Sequence, residues 1–142
     1  MGGKMKIINI SEREAEIFDT DVPYIHISIR SPKADPITLQ QNKYCKGYLT
    51  QNFHDIDKEY KNYKTFTRIN AIVILDFVKL FIEEIELIVV NCEAGVSRSA
   101  GIAGALSKLI NGDDSAYFKH SLPNMLVYRT ILNVANDINW RR

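Results

Sequence analysis

The stretch Leu87-Ile88-Val89-Val90-Asn91-Cys92-Glu93-Ala94-Gly95-Val96-Ser97-Arg98-Ser99 constrains this chain more than any other. Its apolar first half reads as a buried strand, and the strand empties into a short loop that opens on Cys92 and closes on Arg98. Beyond the loop, Ala100, Ile102, Ala103, Leu106, Leu109 and Ile110 mark a helix over 97–110 that Asn111-Gly112 stops. A strand running through a tight loop into a helix is the local unit of an α/β fold.

The rest of the chain supplies the partners for that unit. Residues 4–10 predict a short strand, followed by Ser11 and Glu14 at capping-box spacing for a short helix. In 24–30, Ile25, Ile27 and Ile29 alternate with His26, Ser28 and Arg30, the pattern of a half-buried strand. Residues 31–38, with Pro32 and Pro36, predict a loop. Residues 44–53 predict a strand leading into a polar segment, 54–64, that is a candidate functional loop. Apolar residues spread around 67–84 predict a long, substantially buried helix. Residues 113–120 and 124–136 predict two further helices, Asn124 capping the second. No repeat or linker divides the sequence, so residues 1–142 are expected to form one α/β domain with a small, mostly parallel sheet flanked by helices.

Composition excludes several functional classes. At 142 residues and 46% hydrophobic, the chain buries enough surface to fold without disulfides or structural metal. A formal charge of +1 provides no global attraction to nucleic acid or an anionic membrane, so any bound anion must be held locally. The two cysteines, Cys45 and Cys92, have no CxxC spacing, and the histidines His26, His54 and His120 have no metal-ligand spacing, so no metal is expected. The segment 71–82 is interrupted by Asp76 and Lys79, and position 6 is Lys where a myristoylation signal at Gly2 wants Ser or Thr. A soluble, cytoplasmic protein is the expectation.

The loop from Cys92 to Arg98 suits a phosphate. Backbone N–H groups converge on such a loop, the helix start adds free donors and the positive end of its dipole, and Gly95 permits backbone conformations that a side chain forbids. Arg98 carries a planar fork that pairs two phosphate oxygens. Cys92 would lie beneath the phosphorus as a thiolate, since cations and helix N-termini lower a cysteine pKa to roughly 3.5–7.5.

Cys92 to Ser99 resembles the C-x5-R-[ST] signature of cysteine-dependent protein tyrosine phosphatases, in particular the small dual-specificity branch. The resemblance covers about residues 24–137. It implies that Cys92 attacks phosphorus, Arg98 holds the phosphoryl group, Ser99 stabilises the departing thiolate, and the amides of Glu93, Ala94, Gly95, Val96, Ser97 and Arg98 line the site, with no cofactor. It also implies an upstream carboxylic acid. Asp55 and Asp57 are the candidates, and Asp55, following directly on a predicted strand, is preferred. A nearby Asn, here Asn124, can brace the loop in such proteins.

The implied substrate is a phosphoprotein carrying phosphotyrosine, with phosphoserine and phosphothreonine admitted by a shallow site. Lys58, Lys61, Lys64 and Arg68, interleaved with Tyr60 and Tyr63, form a candidate basic aromatic patch that would suit acidic phosphopeptides or an RNA 5′ end. One residue departs from the pattern: Asn91 stands where the family usually has His, and an amide cannot carry positive charge. The alternatives to a protein phosphatase are therefore a phosphate-binding pseudophosphatase and an RNA 5′-phosphatase. Cys45 reads as structural, with a resolving disulfide to Cys92 as its other role.

Overall fold

The computed structural model describes residues 4–40 and 42–140; Gly2, considered above for lipidation, lies outside them. Four strands are present among the described residues: β1 (Lys6–Ser11), β2 (Tyr24–Arg30), β3 (Cys45–Asn52) and β4 (Leu87–Cys92). The helices are α1 (Glu12–Glu16), α2 (Arg68–Phe81), α3 (Arg98–Asn111), α4 (Ser115–His120) and α5 (Met125–Asp137). The strands form one sheet in the order β1-β4-β2-β3, and every pairing is parallel. The sheet expected to be mostly parallel is wholly so among the described residues, and all its strands end on the same edge.

Side-chain alternation divides the sheet into two unlike faces. Ile25, Ile27, Ile29, Ile88, Val90 and Cys92 turn to the main core, which α2, α3 and α5 close with residues such as Leu75, Leu106 and Ile131. Tyr24, Leu87 and Val89 turn to a smaller cluster with Phe18, Val22 and Tyr44. This second cover corrects the half-buried reading of β2. Its polar alternates His26 and Ser28 are as buried as its isoleucines, because β2 is an interior strand covered on both faces.

The expected capping box is formed: Glu14 N donates to Ser11 Oγ and Ser11 N to the Glu14 carboxylate. Asn111 is the last residue of α3, and Gly112 follows in the left-handed conformation at φ 77°. Gly101 allows α3 and α5 to approach closely, since a Cβ there would lie 2.8 Å from the Asn124 carbonyl.

A second correction concerns α2. It buries only Ala71, Ile74, Leu75 and Val78, while Ile69, Ile72, Val73 and Leu80 are exposed. The helix packs on α5 and β3, and its broad apolar surface exceeds what one side of contact can cover.

Candidate active site

Every strand ends at the edge where β4 gives way to the Cys92–Arg98 loop, the edge at which parallel sheets present ligand sites. Gly95 makes the loop possible. It has φ 79°, and a Cβ on it would lie 2.4 Å from the Ile10 carbonyl carbon at the end of β1.

The loop carbonyls are tied back to the body of the protein. Glu12 N donates to Glu93 O at 3.1 Å, Asn9 Nδ2 to Gly95 O at 2.7 Å, Leu122 N to Val96 O at 2.9 Å, and Asn124 N to Ser97 O at 2.9 Å. In a planar trans peptide the N–H points opposite the C=O. Drawing these carbonyls outward therefore turns the amides of Ala94, Val96, Ser97 and Arg98 to the inner side of the loop. A set of inward amides where α3 begins is a geometry that can hold an anion.

Cys92 is buried at the base of this loop. Gly95 N donates to its Sγ at 3.3 Å, and Ser99 Oγ lies 3.1 Å from the same sulfur. Arg98 is 6% exposed, with Nη1 donating to Phe53 O at 2.9 Å and to Ser31 Oγ at 3.3 Å. Its Nη2 lies 3.4 Å from Glu93 Oε1, and its Nε is buried without a hydrogen-bond partner among the described residues. An orphaned guanidinium donor in a loop of inward amides is a binding capacity that the protein itself leaves unused.

Asp55 lies against the loop. Ser97 Oγ donates to Asp55 Oδ1 at 2.7 Å, and Asn124 Nδ2 donates to the same oxygen at 2.8 Å and to Ile56 O at 3.0 Å. Asp55, Asp57, Tyr60 and Ser97 line one open cavity of about 350 Å³. Asp55 alone of the two aspartates is hydrogen-bonded to the loop.

The structure brings together Cys92, Ser99, Arg98, Asp55 and the loop 93–97. It adds two groups that the sequence did not flag. Ser31 Oγ donates to Glu93 Oε1 at 2.6 Å, and the Glu93 side chain, expected to contribute only its amide, pairs with Arg98. Ser31 together with the Arg98 guanidinium holds the Glu93 carboxyl below the usual carboxylate range. The one available signal for Ser31 was its place immediately after β2.

Two further candidates are resolved by geometry. Cys45 starts β3 level with Tyr24 and Leu87, whereas Cys92 ends β4, so about five residues at roughly 3.3 Å each separate their levels. A disulfide needs Cα atoms within about 7 Å, which this fold forbids. The basic aromatic patch is divided: Lys58 stacks on the Tyr60 ring beside the cavity, but Arg68 pairs with Asp137 at 2.7 Å. Among the described residues no three metal-ligating side chains gather, and no helix is long and apolar enough to cross a membrane.

No family model and no curated protein matches the sequence. Solved structures do resemble it. The human tyrosine phosphatase-like serine/threonine/tyrosine-interacting protein aligns at TM-score 0.56 and 18% identity, over 83% of this chain and 79% of that one. Human DUSP28 aligns at TM-score 0.56 and 13% identity, over 94% and 93%. PTPMT1, solved with PI(5)P, aligns at TM-score 0.55 and 12% identity, over 94% and 92%. The parallel sheet and its helices thus share the fold of these three solved structures.

Proposed function

We propose that the protein is a metal-independent phosphomonoester hydrolase acting through a phosphocysteine intermediate, with phosphotyrosine proteins as the principal substrates and phosphoserine or phosphothreonine as secondary ones. The observation that carries this reading is the convergence on one loop of a buried thiol, an arginine with a free donor, and a carboxylate from a segment 42 residues away.

In the first step the Cys92 thiolate attacks phosphorus, an S–P bond forms, and the P–O bond to the leaving group breaks. Asp55, protonated on Oδ2 while Oδ1 accepts from Ser97 and Asn124, gives its proton to the leaving oxygen. Arg98 and the inward amides hold the equatorial oxygens, supplying positive charge where negative charge concentrates. In the second step the Asp55 carboxylate takes a proton from water as its oxygen attacks phosphorus. The S–P bond breaks, and the Ser99 hydroxyl donates to the thiolate that leaves.

The test is hydrolysis of p-nitrophenyl phosphate across pH with a chelator present and Cys92→Ser as control. Chelator-resistant turnover abolished in the variant is the expected result. Orthovanadate binding without turnover would instead support a phosphate-recognising module, in which Glu93 retains Arg98 and Asn91 supports the thiolate poorly. Removal of phosphate from RNA 5′ ends in preference to phosphopeptides would move the substrate class to RNA.

A further inference from the structure

Asn91 immediately precedes Cys92 and projects from the opposite face of β4, into the smaller cluster. It is fully buried, and its Oδ1 lies 2.8 Å from Nε2 of His26, itself 1% exposed. Asn91 pairs in register with Ser28, and His26 with Val89, so the two side chains are diagonal neighbours on one face. The Tyr48 ring packs edge-to-face with the imidazole at 5.7 Å between centroids. The amide oxygen can only accept, so Nε2–H of His26 is the donor, and burial lowers the His26 pKa, opposed in part by this bond.

On β2 and β4 the buried polar residues of this face gather toward the loop. Along β2 and β4, Tyr24 and Leu87 lie at the far end, His26 and Val89 are level with one another in the middle, and Ser28 and Asn91 lie nearest the loop, where both Ser28 Oγ and Asn91 Nδ2 are buried without partners among the described residues. Aliphatic residues would pack there with no unpaired groups. The pairing of β4 with β2 stops at Asn91–Ser28, one residue before the thiol. The His26–Asn91 bond thus joins the two strands at the last residue of β4 that pairs with β2 before the chain turns into the loop.

We propose that His26 is a positioning residue that acts through Asn91 to set the backbone from which Cys92 projects. The proposal rests on the reading of Cys92 as the nucleophile. The Cys92 sulfur meets the Gly95 amide and the Ser99 hydroxyl only if its own backbone is held, and a shift of about 1 Å at such a site costs roughly 100-fold in rate. Loss of the Gly95 N–H donor, and of the Ser99 hydroxyl that can turn to donate to an ionised sulfur, also disfavours the thiolate over the thiol.

The experiment uses a Cys45→Ser background, so that Cys92 is the sole thiol, and measures the pH profile of its alkylation by iodoacetamide alongside p-nitrophenyl phosphate kinetics. His26→Leu removes the donor, and His26→Gln replaces it with an amide N–H of similar reach. His26→Leu is expected to move the alkylation midpoint to higher pH and to lower kcat about 10- to 100-fold with KM within about threefold. His26→Gln is expected to restore both. Asn91→Leu breaks the same bond from the other end and should reproduce the shift if His26→Leu fails to fold. An alkylation profile unchanged in His26→Leu or Asn91→Leu, or His26→Gln no better than His26→Leu, overturns the proposal. If the parent protein hydrolyses nothing but the alkylation midpoint still moves and is restored, the hydrolase reading fails and the positioning role stands.

Discussion

Asn124 donates from Nδ2 to Asp55 Oδ1 at 2.8 Å while its own Oδ1 accepts from Val127 N at 3.1 Å. One amide thus starts α5 and holds the carboxylate that lies against the Cys92–Arg98 loop. Asn124 also donates its backbone N–H to Ser97 O, so loop, carboxylate and helix are fixed to one another through a single residue. The two jobs are separable. Asn124→Asp keeps an N-cap acceptor but loses the donor and sets a like charge beside Asp55. It should lower kcat about tenfold or more at a stability cost below about 1 kcal/mol, whereas Asn124→Ala should lose both rate and about 1 kcal/mol of stability. Urea denaturation with steady-state kinetics checks this; equal loss of rate and stability in both variants would leave Asn124 as a cap only.

Replacing Asp55 by Asn should lower kcat by roughly 100-fold or more for tyrosine phosphate, and less for p-nitrophenyl phosphate, whose leaving group needs little protonation. Asp57→Asn should stay within about threefold of wild type. The reverse ranking in a side-by-side assay would transfer the acid role to Asp57.

Glu93 lies 3.4 Å from Arg98, where it would compete with an incoming anion. Glu93→Gln removes the carboxylate charge and should tighten inhibition by orthophosphate several-fold. In the wild type the Ser31 hydroxyl and Arg98 depress the Glu93 pKa, so its contribution to stability is present above the ordinary carboxylate value and is lost as pH falls through the lowered one. The Glu93→Gln variant should lack that part of the acid transition, a difference read from thermal melts between pH 5 and 3. Weaker phosphate inhibition in the variant would refute the competition.

Burial, opposed in part by the Asn91 bond, lowers the His26 pKa. The unfolded chain then binds a proton before the folded one does. Stability contributed by neutral His26 is complete above the ordinary histidine value of about 6.5 and is lost as pH falls below it, at up to about 1.4 kcal/mol per pH unit, until the lowered pKa is reached. Denaturation midpoints from pH 7.5 to 5.5 should fall more steeply for wild type than for His26→Gln. Parallel slopes would show that other groups govern the acid limb.

Much of the site was legible because its parts are neighbours in the chain. The spacing of Cys92, Gly95, Arg98 and Ser99 defines the loop, and Ser11 with Glu14, or Asn111 with Gly112, mark helix ends through bonds that reach a few residues. Other readings needed the third dimension. The alternation in β2 was real, but it could not disclose that a second layer covers His26 and Ser28. The apolar breadth of α2 could not disclose that only one side of it finds a partner.

The sequence by itself determined a strand, an anion-shaped loop and a helix around Cys92, since backbone propensity, glycine freedom and capping act within a few residues. Only the tertiary structure decided that Asp55 rather than Asp57 lies on the loop, that Glu93 and Ser31 engage Arg98, that His26 grips Asn91, and that Cys45 is out of reach of Cys92. Those partners stand as far as 67 residues apart. They meet because the strand order β1-β4-β2-β3 places every strand end on one edge, an outcome of packing the whole chain that no local pattern specifies.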